Sequence, residues 1–272
     1  MAGVADDEVL AVCERLALSA GRAIMEVYEG DFDVAAKADS SPVTIADERA
    51  EAIILDGLRA RFPGIVCVAE EEVSAGKLPP ELGEAFFLVD PLDGTKEFIG
   101  KRPDFTVNIA LVRAGVPAVG VVYAPAQGKL YAGRPGEAFV TSVTGDFEPG
   151  ERRPIGVRAR GETLRIVASR SHSTPQTDAF VARFPASELT SVGSSLKFCL
   201  LAAGEADLYP RFGRTMEWDT AAGDAVLRAA GGVTRTPDGG PFVYGKRNQP
   251  HDSDFANGWF VAATAEGASL VW

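Results

Sequence analysis

One short acidic segment carries the strongest chemical signal in the chain. It reads VDPLDGT and places Asp90 and Asp93 three residues apart, where an apolar run ends and TKEF suggests a helix start. Two carboxylates held that close need a cation or a proton, and their hard oxygens suit Mg²⁺. The N–H groups after Gly94 would meet a phosphate favourably at the helix start. A turn in which the aspartates only shape the backbone explains the spacing equally well.

Other acidic residues have structural explanations of their own. The three glutamates at 70–72 follow an apolar run and are typical of a solvated strand end, although one of them could face the same cavity. Asp219 precedes a predicted helix and fits an N-cap, worth about 1 kcal/mol. A capping aspartate can still offer its other oxygen to a metal. Asp47 follows Thr44 by three residues, as in a capping box.

The apolar pattern predicts the elements that would position these groups. Helical spacing covers residues 6–29 and 45–61, and five short β-rich runs begin at 65, 85, 106, 118 and 129. From 106 onward the connections are too short for a crossover helix, so those strands are predicted to be antiparallel. Strands at 164, 206 and 259 then alternate with helices at 176–184, 194–204 and 219–230. We therefore predict an α/β (α+β) chain with an antiparallel half over residues 1–150, a smaller α/β half over residues 151–272, and the site at their seam.

Composition narrows the class of protein. The chain has 272 residues, is 46% hydrophobic and carries a net charge of −11, which argues against a surface built to bind nucleic acid or anionic lipid. Its three cysteines are odd in number and far apart, which is typical of buried thiols in a reducing compartment. We expect no secretory leader and no transmembrane segment, since neither pattern is present. We expect a cytoplasmic protein, and leave open a homodimer and a peripheral contact with the inner membrane face.

Several motifs together resemble one family of phosphatases. SPVTIAD, the glutamates after a strand, VDPLDGT and WDTAAGD occur in the order found in the inositol monophosphatase-like family of metal-dependent phosphatases. KADSSPVT, DPLDGTKEFI, GSSLKFC and LYPRFG are similar to the 3′(2′),5′-bisphosphate nucleotidases of the CysQ type within that family. The resemblance runs from about residue 10 to residue 265. It implies a layered αβαβα sugar-phosphatase fold.

The resemblance also implies a metal site. It assigns two or three Mg²⁺ ions to Glu70, Asp90, the Leu92 carbonyl, Asp93 and Asp219, with Asp90 bridging two ions. It implies a hydrogen bond between Asp47 and Thr95, and it has Thr95 and Glu70 orient the attacking water. The run at 70–72 holds three glutamates where the family has two, so the choice of Glu70 over Glu71 depends on an alignment without a gap.

A second set of residues would recognise the rest of the substrate. In the nucleotidase subgroup the adenosine and the 5′-phosphate are contacted by the residues that match His172, Ser194, Lys197 and Arg211. Gly94, Thr95 and Asp219 are also expected to touch the substrate. Ser194 is predicted to start a helix with Lys197 one turn on, which favours an anion nearby. The structural alternative is a capping serine and a lysine that points into solvent.

These assignments imply a metal-dependent phosphomonoesterase. The favoured reaction removes the 3′-phosphate from adenosine 3′,5′-bisphosphate, a by-product of sulfate assimilation, with 3′-phosphorylated sulfated adenylate as a second substrate. The nearest alternative is a broader sugar-phosphate phosphatase that acts on inositol monophosphate or fructose 1,6-bisphosphate. A catalytically inactive nucleotide- or metal-sensing protein is a remoter alternative, because all the acidic positions are present.

Lithium offers a test that depends on this assignment. The resemblance implies that Li⁺ competes for a Mg²⁺ position, so phosphate release should fall steeply at low-millimolar Li⁺. The measurement is phosphate release against Li⁺ concentration at constant Mg²⁺, with K⁺ at the same concentrations as the control for ionic strength. Full activity in Li⁺ well above the millimolar range would contradict the assignment.

Overall fold

Alternating layers of helices and sheets organise the chain. The computed structural model describes residues 4–30, 34–36, 42–159, 161–169 and 173–272. Within them the helices are α1 (Asp6–Tyr28), α2 (Ile45–Arg61), α3 (Glu70–Ser74), α4 (Thr95–Ile99), α5 (Pro175–Val181), α6 (Leu196–Ala202), α7 (Ala221–Ala229) and α8 (Ala265–Ala268). The strands are β1 (Val34–Ala36), β2 (Pro42–Thr44), β3 (Val66–Ala69), β4 (Ala85–Asp93), β5 (Thr106–Arg113), β6 (Val116–Ala124), β7 (Lys129–Arg134), β8 (Glu137–Val143), β9 (Pro149–Pro154), β10 (Arg165–Ser169), β11 (Glu188–Val192), β12 (Leu208–Arg211), β13 (Thr215–Met216), β14 (Val233–Arg235), β15 (Ala256–Asn257) and β16 (Phe260–Ala263). No helix of these described ranges is long and apolar enough to cross a bilayer.

The first sheet has its strands in the order β3-β4-β5-β6-β7-β8-β9. β3 and β4 are parallel, and every later pair is antiparallel, which confirms the prediction for the strands from 106 onward. β8 and β9 are additional to the five predicted strands. β9 lies where the sequence predicts only a polar stretch over 143–160. It is exposed along its length and pairs through its backbone, so it leaves no apolar pattern. Residue 150, the predicted seam, lies within this strand.

The second sheet has the order β11-β10-β12-β16-β14. Its first three strands are parallel, whereas β16 is antiparallel to both β12 and β14. Helices α6 and α7 lie between the two sheets, where Phe198 and Val226 share one core with Leu88 of the first sheet and Phe260 of the second. α1 and α2 pack on the other face of the first sheet, and α5 and α8 pack on the other face of the second. This order of layers confirms the predicted αβαβα fold.

Two facing glycines let α7 lie directly on the first sheet. Gly120 of β6 and Gly133 of β7 are cross-strand partners. A Cβ atom at Gly120 would stand 2.3 Å from the Ala222 carbonyl oxygen and 2.7 Å from Ala225 Cβ, closer than non-bonded atoms in a packed core come to one another. At Gly133 the same atom would stand 2.9 Å from α7. This close approach matters for the site, since α7 follows Asp219 almost directly.

The three cysteines are buried and unpaired, as the sequence predicts. Cys13 lies in α1, Cys67 in β3 and Cys199 in α6. Burial raises the pKa of the Cys67 thiol to about 11, and it raises the pKa of Cys13 and Cys199 as well. All three thiols therefore stay protonated and weakly nucleophilic at neutral pH.

Gly120→Ala is expected to destabilise the protein, because its methyl group would force α7 away from the sheet. Overpacking of this kind costs about 1–3 kcal/mol, so chemical denaturation should show a lower free energy of unfolding. Gly145→Ala is the matched control, since a Cβ atom there meets no atom within 4 Å. Equal stability of the two variants would mean that the contact between α7 and β6 tolerates a side chain.

Candidate active site

A cavity of about 350 Å³ opens where the first and second sheets meet the ends of their connecting helices. Its wall brings together eight residues that the sequence analysis assigned to the site: Glu70, Asp93, Gly94, Thr95, Ser194, Lys197, Arg211 and Asp219. Asp47, Asp90 and Leu92 lie behind this wall and are buried. His172 falls outside the described residues. The fold therefore gathers on one surface residues that are far apart in the sequence.

Asp90 and Asp93 belong to a single strand with a bulge. Pro91 lacks an N–H group, so the sequence predicts that the strand ends there. This prediction is wrong, because β4 pairs with β5 at Asp90 and again at Asp93. Between these pairs the register is irregular, and the Leu92 N–H donates to Asp90 Oδ1 at 3.0 Å. A bulge re-aims side chains relative to the sheet. Asp93 thus reaches the cavity wall while Asp90 stays buried behind it.

Gly94 turns the chain from β4 into α4, which confirms the helix start predicted at TKEF. Its φ of 95° lies in the left-handed region, where a side chain is strained. A Cβ atom there would also come within 3.1 Å of the Asp104 carbonyl oxygen and 3.3 Å of Phe105 Cα. Glycine therefore lets the chain turn here and pack closely on the segment at 104–105, with Gly94 at the cavity wall.

Asp47 has the predicted structural role and a second contact besides. Its Oδ2 accepts the Thr44 N–H and the Thr44 hydroxyl, both at 2.7 Å, while the Ala46 N–H donates to Thr44 Oγ1 at 3.2 Å. This arrangement confirms the capping box at the start of α2. Asp47 Oδ1 lies 3.4 Å from the Thr95 hydroxyl, which also lies 3.3 Å from the Leu92 carbonyl oxygen. One buried carboxylate therefore joins the helix cap to the cavity.

Asp219 does not cap α7, so that prediction is wrong. Thr220 occupies the N-cap position, and it makes no side-chain hydrogen bond to the first turn. The Asp219 carboxylate turns back instead, and its Oδ2 accepts the Met216 N–H at 2.8 Å. Its Oδ1 has no hydrogen-bond donor among the described residues, and the side chain lines the cavity. A carboxylate that is anchored through one oxygen is well placed to offer the other to a ligand.

Ser195, which the sequence analysis missed, joins the two halves of the site. Its hydroxyl lies 2.6 Å from the Asp219 carbonyl oxygen and 3.0 Å from Asp93 Oδ2, and it accepts from Asn108 Nδ2 at 2.9 Å. Ser195 is the N-cap residue of α6, whereas Ser194, predicted to start this helix, precedes it in a left-handed conformation with φ of 48°. Two adjacent serines gave no signal in the sequence for which of them faces Asp93.

Glu217 is a second residue that the sequence analysis missed. It is fully buried, and its carboxylate accepts the N–H groups of Gly245 and Lys246 at 2.6 and 2.9 Å. The Lys246 ammonium lies 2.7 Å from the same carboxylate. These bonds fix the chain two residues before Asp219 against a distant loop. In the sequence, a buried glutamate of this kind has the same signature as an exposed one.

Three carboxylates influence one another across the cavity. Burial raises the pKa of Asp219 well above its ordinary value, and the charges of Asp93 and Glu70 raise it further. Burial also raises the pKa of Asp93, against which the Lys197 charge and the Ser195 hydrogen bond act. Carboxylates in this situation take up a proton or a cation.

The donor set suits a hard divalent cation. Carboxylate and carbonyl oxygens are the ligands that Mg²⁺ prefers in proteins. Among the described residues, no three His, Cys, Asp or Glu side chains close around one point. Burial raises the pKa of Asp93 and Asp219, and the charges of Lys197 and Arg211 offset this only in part. The observation that fits these residues to a metal ion is the Asp219 Oδ1, which accepts from no described residue and lies at a wall shared with Asp93 and Glu70.

Lys197 is buried, so its structural alternative as a solvated helix residue is wrong. Only 4% of its surface is exposed. Its ammonium donates to the Val192 and Ser194 carbonyls at 3.2 and 2.5 Å, and it lies 5.3 Å from the centre of the Tyr209 ring. Burial lowers the pKa of Lys197 to about 8, while Asp93 acts in the opposite direction. Lys197 thus holds the loop that carries Ser194 and places positive charge at the cavity wall.

Known proteins are similar to this chain over most of its length. A model of the inositol monophosphatase family matches residues 5–266. This chain belongs to that family. It is 46% identical to the 3′(2′),5′-bisphosphate nucleotidase CysQ of Escherichia coli strain K12 over 238 residues. These aligned residues cover 87% of this chain and 93% of that protein. The chain is 40% identical to the protein of the same name from Buchnera aphidicola over 254 residues, and this alignment covers 93% of this chain and 92% of that protein.

Solved structures share the architecture. CysQ from Bacteroides thetaiotaomicron, described as a bacterial member of the inositol monophosphatase family, matches with a TM-score of 0.77 at 36% identity, over 94% of this chain and 97% of that one. An inositol monophosphatase from Anabaena matches with a TM-score of 0.74 at 27% identity, over 97% and 94% of the two chains. The layered fold is therefore that of the family throughout the chain.

Asp219→Asn should abolish phosphatase activity, because it removes a carboxylate that lines the cavity. The protein should stay folded, because Asp219 does not cap a helix. The melting temperature of the metal-free protein should hold or rise, since a neutral amide relieves repulsion from Asp93 and Glu70. Asp56→Asn, on the exposed face of α2, is the matched control. A variant that keeps more than about a tenth of the wild-type kcat at saturating Mg²⁺ would remove Asp219 from the site.

Proposed function

We propose that this protein is a Mg²⁺-dependent 3′(2′),5′-bisphosphate nucleotidase that hydrolyses the 3′-phosphate of adenosine 3′,5′-bisphosphate to AMP and phosphate. The observation that carries the proposal is one cavity that combines a cluster of carboxylates with two buried cations, Lys197 and Arg211. Carboxylates that gather metal ions suit the reacting phosphate, and buried cations suit a second phosphate on the same substrate. The CysQ relatives, at 46% identity over most of the chain, support the same reaction.

The carboxylates and one carbonyl would hold two or three Mg²⁺ ions: Glu70, Asp90, the Leu92 carbonyl, Asp93 and Asp219. When bound, Mg²⁺ lowers the pKa of the attacking water, neutralises the phosphoryl oxygens and stabilises the leaving oxygen. Glu70 lines the cavity, whereas Glu71 and Glu72 line a separate groove beside α2. This difference supports Glu70 over Glu71 as the ligand.

Thr95 is suited to orient the attacking water. A hydroxyl has one proton and two lone pairs. When Thr95 donates its proton to Asp47, at 3.4 Å, its lone pairs are left to accept a proton of the water. Asp47 thereby acts on the water through Thr95, while Glu70 accepts from the same water. Gly94 and Thr95, which both line the cavity, contribute the contacts to the reacting phosphate.

Arg211 is the residue best suited to the second phosphate. It is 7% exposed, lines the cavity and donates from Nη2 to the Arg214 carbonyl at 3.2 Å. A guanidinium presents five N–H donors in a planar fork that matches phosphate oxygens. Lys197 adds charge from the wall, although two of its three donors bind carbonyls. Ser194 and His172 would complete the contacts with the adenosine and the 5′-phosphate.

A substrate panel tests the proposal directly. Phosphate release with Mg²⁺ would be compared for adenosine 3′,5′-bisphosphate, its sulfated 3′-phosphorylated analogue, inositol 1-phosphate and fructose 1,6-bisphosphate. We expect the nucleotide bisphosphate to exceed inositol 1-phosphate in kcat/KM by about tenfold or more, since inositol 1-phosphate lacks a second phosphate for charge-assisted contacts. It should also exceed fructose 1,6-bisphosphate, which has a second phosphate but no adenosine. A higher value for inositol 1-phosphate or fructose 1,6-bisphosphate would replace the nucleotidase by a sugar-phosphate phosphatase.

The proposed reaction also suits a place in sulfate assimilation, where adenosine 3′,5′-bisphosphate is a by-product. We propose a cytoplasmic location, in which a reducing environment keeps the three buried thiols unpaired.

Arg211→Met is expected to cut kcat/KM for adenosine 3′,5′-bisphosphate by about tenfold or more, because a charge-assisted hydrogen bond is worth about 1.5–3 kcal/mol. Hydrolysis of inositol 1-phosphate, which has only the reacting phosphate, should stay within about twofold. Arg153→Met, an exposed arginine of β9, is the matched control. Equal losses for both substrates would place Arg211 beside the reacting phosphate or in a structural role.

A further inference from the structure

Helix α3, which begins with Glu70, has no cap of its own. Its N-cap residue is Ala69, whose side chain cannot accept a hydrogen bond. The first N–H groups of any helix lack partners within that helix. Here Glu51 of α2 supplies the acceptors, since its Oε2 accepts the Glu71 N–H at 2.8 Å and its Oε1 accepts the Glu72 N–H at 2.9 Å. One carboxylate thus binds two consecutive donors in the turn that Glu70 starts.

The Glu51 carboxylate is an energetically unfavourable cap for a helix of five residues. The side chain is 5% exposed, and burial raises its pKa to about 7, against which the bonds from the backbone of α3 act. A buried carboxylate pays a desolvation cost that a serine or threonine at the N-cap would avoid. Local stability of α3 therefore does not explain why the acceptor comes from another helix. A role that depends on the distance between α2 and α3 explains this choice.

That distance sets the relative position of two site residues. Glu51 lies one helical turn after Asp47, on the same face of α2. Asp47 reaches the Thr95 hydroxyl at 3.4 Å, and Glu51 binds the backbone directly after Glu70. Two successive turns of α2 therefore tie down Thr95 and the start of α3, which carries Glu70. These are the two side chains to which the proposed function assigns the attacking water.

We propose that Glu51 is a positioning residue, which fixes Glu70 relative to Thr95 by binding the N–H groups of Glu71 and Glu72. The inference rests on the proposed function, because it needs Glu70 to act at the metal and the water. A displacement of about 1 Å at a positioned group costs up to about 100-fold in rate. Glu51 makes no contact with the cavity wall itself, so its loss should affect the chemical step and the metal more than substrate binding.

Glu51→Gln tests this role, because the amide keeps the shape but can accept only one of the two N–H groups. We expect kcat to fall by about tenfold or more while KM stays within about twofold. Calorimetry with Mg²⁺ alone should show a dissociation constant raised by about tenfold, as for other residues that orient ligands. The melting temperature of the metal-free protein should stay close to that of the wild type, since a buried charge is removed along with one hydrogen bond. Hydrogen exchange should accelerate at the amides of residues 71 and 72.

Two variants serve as controls. Glu48→Gln removes an exposed negative charge from the adjacent face of α2 and should leave kcat and Mg²⁺ binding unchanged. Arg59→Met removes a different contact between the same helices. The Arg59 Nη1 and Nη2 atoms donate to Glu72 Oε1 and Oε2 at 3.1 and 2.6 Å. The effect of Arg59→Met on Mg²⁺ binding should be much smaller than that of Glu51→Gln. Equal effects of the two variants on Mg²⁺ binding would mean that any contact between α2 and α3 positions Glu70, which would overturn the specific role of Glu51.

The remaining outcomes separate this inference from the proposed function. If Glu51→Gln loses stability but keeps wild-type kcat and Mg²⁺ affinity, Glu51 is only a cap and the inference is wrong. If the wild-type protein hydrolyses no phosphomonoester, the proposed function fails. The Mg²⁺ calorimetry and the hydrogen exchange then still decide whether Glu51 positions the start of α3.

Discussion

Repulsion among carboxylates that face one cavity is the constraint on which the rest of the site depends. Burial and mutual charge raise the pKa of Asp93 and Asp219, so these groups would move apart or take up protons if nothing held them. Neutral donors hold them instead. The Met216 N–H binds Asp219, and the Ser195 hydroxyl lies between Asp93 and the Asp219 backbone. A direct ion pair would compete with a metal for the same oxygens, whereas a neutral donor leaves the negative charge to be compensated by a ligand.

Buried carboxylates also support the site from outside the cavity. Glu51 and Glu217 are both buried, and each binds two consecutive backbone N–H groups. Glu51 fixes the chain after Glu70, and Glu217 fixes the chain before Asp219. Part of the acidic character of this protein, with its net charge of −11, therefore lies inside the fold rather than on its surface. Carboxylates suit this task because each has two oxygens that can accept from neighbouring N–H groups.

The middle helix layer sets the geometry across the cavity. The first sheet carries Asp93 at the end of β4, and α7, in the layer between the two sheets, follows Asp219. The distance between these carboxylates therefore depends on how closely α7 packs on the first sheet. Gly120 and Gly133 allow that packing, since a side chain at either position would collide with the helix. Features far from the cavity thus determine which oxygens meet in it.

Local patterns let the sequence by itself determine much of the architecture. Periodicity located α1, α2 and the antiparallel strands, because burial of one face leaves a regular apolar spacing. The cap formed by Thr44 and Asp47 was also predictable, because its partners lie only three residues apart in the sequence. The order of VDPLDGT and WDTAAGD indicated the family and the site. Spacing also placed Asp93 and the turn at Gly94 correctly.

Only the tertiary structure decided the roles that depend on contacts between distant segments. Asp219 has the sequence signature of an N-cap, yet its carboxylate binds Met216 because the chain folds back there. Ser195 rather than Ser194 reaches Asp93, which depends on where α6 begins. Lys197 and Glu51 are indistinguishable in sequence from solvated helix residues, and packing alone buries them. A side chain's type and its neighbours in sequence specify what it can bind, but the partner that it meets is set by the packing of elements that are remote along the chain.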